Sequence, residues 1–360
     1  MGLSKMFKTY EKYIIKNFLY KFFKISFVFL SLIIILSILE EISFFKNTQV
    51  NFLLPYLITL LGAPITLFEI FPFIFLLTTQ FLFYDLFQKD ELILLKTNGL
   101  SNLKIIKILF LSSFIMGIFT IFIFYNAASK LKFFYTDIKN DYSKDNKYLA
   151  VVTDSGLWLK DEINQNTLIV KAKYIKNNYL VDVLINQFDK NFKLINTIQS
   201  KKIDIDQKIW IINNPSITKE NITTQDLEKF KFQTNFDKEK INSLFSNIST
   251  LNLIELFNLK NDYENLGYSS NEIKIHLLNL FSTPLLYSIL TVLSAIIMFN
   301  MKKNRSLFFH IIFGVLMSVI IYYINFVFNS LGNNGKIPAL ASIFIPLICV
   351  SIIATIGLIK

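Results

Sequence analysis

Apolar residues along this chain fall into membrane-length runs, three before a hydrophilic block at residues 130–250 and three after it. Crossing the hydrocarbon of a bilayer takes about 20 helical residues. Runs of that kind lie at residues 22–39, 65–87, 108–128, 277–299, 307–328 and 338–358. Inside the block the period changes. Thr167-Leu168-Ile169-Val170-Lys171-Ala172-Lys173-Tyr174 alternates, as do residues 179–186, 192–205 and 208–212. Turn formers separate these runs at 154–156, 176–178, 189–191 and 213–215. Short alternating runs at this spacing predict an antiparallel β-domain, whether jelly roll, sandwich or open barrel. The expected fold is an α-helical membrane protein with six transmembrane helices and a β-domain inserted between helices 3 and 4. Its parts are residues 1–129, 130–250 and 251–360, the last opening on a connecting amphipathic helix at 251–259.

Two local features refine the spans. Gly62-Ala63-Pro64 predicts a break, because proline removes a helical hydrogen bond and restricts the residue before it. The expectation is an interfacial or tilted helix over 52–61, then a span starting near Pro64. Glu69 then lies near the outer interface, avoiding the roughly 2.5–3.5 kcal/mol cost of a mid-bilayer charge, or else on a polar face inside the bundle. Before the fourth span, Ser269-Ser270-Asn271-Glu272 reads as a capping box with Ser269 as N-cap.

Charge then orients the bundle. The net charge is +11, and almost all of the 37 basic residues are lysine. They crowd the N-terminal stretch (Lys5, Lys8, Lys12, Lys16, Lys21, Lys24), the loop after span two (Lys89, Lys96, Lys104, Lys107) and the loop after span four (Lys302, Lys303, Arg305). The positive-inside rule places both termini in the cytoplasm and the large block on the other side. The charge thus follows topology and gives no reason to expect nucleic acid. With 53% hydrophobic residues and 38 phenylalanines, lipid is the expected solvent, and the aromatic residues are read mainly as bilayer-facing surface. Cys349 is the sole cysteine and lies in the last span, so the outer domain has no intrachain disulfide. Glu40 and Glu41 follow the first apolar run without a small-residue cleavage pattern, so no cleavable signal peptide is expected.

Candidate chemistry is sparse. No G-x-x-x-x-G-K-[ST] is present, so any ATP hydrolysis is expected on another chain. No cofactor and no metal site are expected in this chain, because His276 and His310 fall on opposite sides of the membrane. The informative segment is the cytoplasmic stretch from Asp85 to Ser101. Leu92 and Leu95 share a helical face with Asp90 and Glu91 beside them, Gly99 is placed to end the helix left-handed, and Ser101 to cap the next. Such an element suits docking to an ATPase, and it equally suits a loop helix lying on the membrane surface. At the outer surface, Lys46, Lys130, Lys132 and Lys336 are candidate contacts for an anionic lipid, against the alternative of snorkelling interfacial lysines. Trp158 is a candidate for a lipid-binding interior, although a lone tryptophan on a strand reads first as core.

The ordered set of motifs resembles the LptF/LptG permease family of lipopolysaccharide export. It comprises Asp90-Glu91-Leu92 with Gly99-Leu100-Ser101, Gly156-Leu157-Trp158-Leu159-Lys160, Pro284-Leu285, and Pro338 and Pro346 with Phe344, on a six-span layout. Residues 67–73 look more like the G-type than the F-type subunit. Where the family often carries a basic residue before the span-four proline, this chain has Asn279 and Leu280. The resemblance implies an inner-membrane half-transporter of a Gram-negative bacterium with a periplasmic β-jelly roll. Its implied partners are a second LptF/LptG-type permease, an LptB-type ATPase dimer carrying ATP and Mg, and LptC-type and LptA-type bridge proteins. Lipopolysaccharide would enter between spans one and five and leave through the β-domain. Coupling would fall on Asp90, Glu91, Leu92, Leu95 and Gly99. Two other classes compete: an envelope scaffold, and a membrane-embedded enzyme acting on lipid or glycan. The enzyme is disfavoured by the lack of paired carboxylates on a catalytic turn.

Overall fold

The computed structural model describes residues 9–46, 48, 50–142, 157–163, 165–176, 178–219, 222–224, 228–245, 247–265, 268–299 and 307–359. Lys5, Lys8, Gly156, Lys302, Lys303 and Arg305, invoked above, lie outside them. α1 (Thr9–Phe45) and α2 (Leu54–Gln88) come first, then a short α3 (Glu91–Thr97). α4 (Asn102–Phe119) runs through a π-helical turn at Thr120–Tyr125 into α5 (Asn126–Asp141). Nine strands follow: β1 (Leu157–Ile163), β2 (Asn166–Ala172), β3 (Tyr174–Lys176), β4 (Tyr179–Phe188), β5 (Leu194–Asp204), β6 (Ile209–Asn213), β7 (Ser216–Lys219), β8 (Ile222–Thr224) and β9 (Lys229–Gln233). The chain continues through α6 (Lys238–Phe245), α7 (Leu253–Asn265), α8 (Asn271–Phe299), α9 (Leu307–Asn333) and α10 (Ala339–Ile359). It divides into two compact units, Met1–Lys132 with Asn271–Lys360, and Phe133–Ser270.

Among the described residues, six helices are long and apolar enough to cross a membrane: α1, α2, the joined α4–α5 segment, α8, α9 and α10. All six expected spans are present, but the helices outrun the apolar runs that predicted them. α1 starts at Thr9, well before residue 22, because lysine propagates a helix as readily as leucine does. The expected break at Pro64 does not occur. α2 continues through both Pro64 and Pro72. In an apolar surround an opened turn would strand more carbonyls than the one bond each proline forfeits, so the helix holds. α8 begins at Asn271, so Ser270 precedes it and the expected cap is displaced by one residue. Ser270 Oγ donates instead to Glu264 Oε1 at 3.2 Å.

The membrane unit has an aromatic core, while more of its phenylalanines and tyrosines stay on the outer surface, as the sequence reading expected. Phe22 and Phe75 pack at 4.8 Å between ring centroids, and Phe75 stacks on Tyr287 at 4.5 Å. Phe68 and Tyr125 extend the cluster at 5.2 Å. Phe23, Phe27, Tyr322 and others do remain exposed, as lipid-facing residues should. Hydroxyls tie the helices where lipid offers no competing partner. Ser113 and Thr291 pair at 2.8 Å between α4 and α8, and Ser294 donates to the Leu76 carbonyl at 2.8 Å between α8 and α2. At Gly117 an added Cβ would lie 2.5 Å from Pro284 Cα. The proline of the fourth span thus meets a neighbour that only glycine accommodates.

The second unit is one antiparallel sheet in the order β1-β2-β4-β5-β6-β9, with β3 against β4, β7 against β5, and β8 against β7. Alternation sends Leu157, Leu159, Val170, Ala172, Ile185, Ile198, Ile203 and Ile212 to the buried face. Three of the expected turns fall between described strands, at 176–178, 189–191 and 213–215. The alternating run at 167–174 is cut by a bend at Lys173, which splits β2 from β3. Trp158 corrects a second expectation. It is 47% exposed on the outer face of β1, with Lys171 Nζ 4.9 Å above its ring. The core tryptophan is Trp210, fully buried and donating from Nε1 to the Phe236 carbonyl at 2.8 Å. α6 and α7 contribute Ile241, Leu244, Leu256 and Leu259 to the buried set.

Candidate functional site

The turn between α2 and α4 is built residue by residue from the chain's own stop and start signals. α2 ends at Gln88, and Asp90 takes a left-handed conformation with φ 56° that swings the chain into α3. Seven residues later α3 closes in a Schellman motif. Leu100 N–H donates to the Leu95 carbonyl at 3.1 Å, and Gly99 N–H to the Lys96 carbonyl at 3.0 Å. Gly99 has φ +85°, as the sequence predicts for a helix-terminating glycine. Ser101 then caps α4, its Oγ accepting from Lys104 N–H at 3.4 Å.

This elbow is anchored to two long helices, and an ion pair braces α1 against α2 beside it. The Tyr13 hydroxyl on α1 donates to Glu91 Oε2 at 2.6 Å. Beside it, Lys21 on α1 pairs with Asp85 near the end of α2. On the other flank Lys96 Nζ sits 5.2 Å from the ring centroid of Phe299, the last residue of α8. Leu92 is 2% exposed and seats α3 on the bundle, while Leu95 is half-buried. The outward face consists of Asp90, Ile93, Leu94 and Thr97, at helical spacing i, i+3, i+4 and i+7. Ile93 is 49% and Leu94 63% exposed. The five residues expected to act in coupling therefore lie on α3 or directly at its ends, yet Leu92 points inward and Ile93 and Leu94 carry the exposed apolar surface. The run Leu92-Ile93-Leu94-Leu95 is apolar throughout, so periodicity alone cannot choose its buried side.

A second feature was not legible beforehand. A cavity of about 610 Å³ opens among α2, α8, α9 and α10, and polar side chains line it within apolar helices. Glu69, Asn279, Ser282, Thr283, Asn325 and Asn329 are among them. Asn329 Nδ2 donates to Asn279 Oδ1 at 3.5 Å, linking α9 to α8. Glu69 lines this cavity and is exposed to it. The candidate lysines do not converge there. Lys130 and Lys132 lie on α5, Lys46 follows α1, and Lys336 stands between α9 and α10. Lys132 does interact electrostatically with Glu69. His276, on the first half of α8, is engaged with the Tyr125 hydroxyl at 3.0 Å.

Residues 12–360 match the family model for the lipopolysaccharide export system permease LptF/LptG. The chain belongs to the LptF/LptG family. No individually curated protein matches it. As an LptF/LptG protein it is a multi-pass membrane protein of a family of transporter permeases, which sets the enzyme reading aside. The α3 elbow is where Asp90-Glu91-Leu92 and Gly99-Leu100-Ser101 of this LptF/LptG chain are found, and Pro284 is the residue facing Gly117.

Proposed function

We propose that this chain is one of two related permease subunits of an ATP-driven exporter that extracts lipopolysaccharide from the inner membrane. Both termini and α3 face the cytoplasm, and the sheet unit, read as the family's jelly roll, stands in the periplasm. There it hands the lipid to LptC-type and LptA-type bridge proteins. Residues 67–73 favour the G-type subunit. ATP and Mg belong to an LptB-type dimer. Trp158 and the outer lysines 46, 130, 132 and 336 remain the proposed substrate contacts, with Trp158 acting from the outer face of β1.

The observation that carries this reading is the exposed Ile93–Leu94 pair on a rigid elbow. Apolar side chains exposed at the water-facing end of a bundle cost free energy until a partner covers them. Because Glu91 and Lys96 tie α3 to α1 and α8, displacement of α3 would move whole spans rather than a loop. Asp90 would meet the partner from the same face, while Leu92, Leu95 and Gly99 hold α3 in shape.

Affinity purification from the native envelope in mild detergent tests the reading. An ATP-binding subunit and a second six-span permease are expected to copurify, with lipopolysaccharide stimulating ATP hydrolysis. Absence of both chains under several gentle conditions overturns it.

A further inference from the structure

At the end of the bundle that carries α3, α1 and α4 diverge around a groove of about 750 Å³, within the size range of small-ligand sites. Its rim is basic from both sides. Lys12 and Lys16 stand one helical turn apart on α1, and Lys104 and Lys107 one turn apart on α4. All four are exposed, and Glu11 is the one acidic residue in the lining. Below the rim the groove turns apolar, walled by Leu19, Leu111, Ile115 and Met116. Like charges one turn apart destabilise each helix, and two such pairs facing one groove compound the effect. A counter-anion relieves it.

We propose that this groove binds one anionic phospholipid, its phosphate among the four lysines and an acyl chain along the apolar wall. The order of the lining residues carries the assignment. Cations come first at the helix ends and apolar residues follow toward the bilayer, which is the order of a lipid from headgroup to tail. Snorkelling lysines spread over a convex surface would attract anionic lipid without choosing a place for it. These four instead share a concave site. The proposal rests on the six-span embedding alone and is independent of what the permease exports.

The test uses the full chain, with whatever subunits accompany it, in neutral detergent. Phosphatidylglycerol and phosphatidylcholine are offered in equal amounts, and bound lipid is read by native mass spectrometry. Retention of phosphatidylglycerol is expected to exceed that of phosphatidylcholine by roughly tenfold or more, from the attraction of several lysines to one headgroup. Lys12→Gln/Lys16→Gln and Lys104→Gln/Lys107→Gln should each bring the ratio close to parity. Lys24→Gln/Lys89→Gln, which removes two charges outside the groove, should leave it unchanged. Ile115→Trp fills the apolar wall without altering charge and should also abolish retention. Soluble glycerol phosphate should not displace the lipid. Equal retention of both lipids by the wild-type chain overturns the proposal. So does an equal loss in the Lys24/Lys89 variant, unimpaired binding in Ile115→Trp, or displacement by glycerol phosphate.

Discussion

Asp161 shows how much a single side chain decides in the sheet unit. It is 2% exposed on β1, one end of the strand order, and reaches residues that follow β9, the other end. Its carboxylate accepts from Thr234 Oγ1 at 2.7 Å, Asn235 N–H at 2.9 Å and Asn235 Nδ2 at 2.8 Å. The two edges of the sheet are thereby joined at one point, which curls an otherwise open sheet. Hydrogen bonds to a charged group contribute about 1.5–3 kcal/mol each, so Asp161→Ala is expected to cost the unit about 3 kcal/mol or more. Hydrogen exchange should report it, with amides of β1 and β9 losing protection while β4 and β5 keep theirs. Uniform protection in the variant would refute the closure. Nothing in the sequence marked this aspartate, because its partners are 73 and 74 residues away.

Among the elements, α3 separates seating from docking. Leu92 faces the bundle, and burying a charge there leaves it without water or partner. Leu92→Asp should therefore lower the thermal stability of the whole membrane unit. Ile93→Asp with Leu94→Asp lies on the open face, where substitutions usually change stability by less than about 0.5 kcal/mol. The double variant is expected to fold normally and lose the ATPase subunit on purification. Glu91→Lys should also lose it, through a different route, since it breaks the Tyr13 contact and adds a cation to an elbow that already holds Lys89 and Lys96. Normal copurification of the Ile93/Leu94 variant would dismiss the docking face. The ends of α3 were readable from Gly99 and Ser101, which have local causes. Its buried side was not, since orientation depends on helices far away in sequence.

For the whole molecule, the topology we propose puts the sheet unit on the opposite side of the membrane from both termini. With Cys349→Ser as background, a cysteine at Lys190 in the β4–β5 turn should react with an impermeant thiol reagent added outside sealed spheroplasts. One at Lys96 on α3 should react only after the membrane is opened. Equal reactivity at both positions would break the proposed topology. The spans themselves were visible in the chain because the cost of placing polar residues in hydrocarbon is paid locally, segment by segment. The failed break at Pro64 has the complementary cause. Proline's local preference was outweighed by a surround in which unpaired carbonyls find no water.

By itself the sequence determined the number of spans, the insertion of a β-domain after the third, the limits of β4, β5 and β6 to within two residues and the family. Each follows from local periodicity, turn chemistry or motif order. Only tertiary structure decided which aromatic residues form the core, that Trp210 rather than Trp158 is buried, and which face of α3 stays open. It also decided that polar residues of α2, α8 and α9 share one cavity, and that four lysines of α1 and α4 share one groove. Those outcomes depend on which side of each helix or strand meets a distant neighbour, and no local pattern along the chain carries that information.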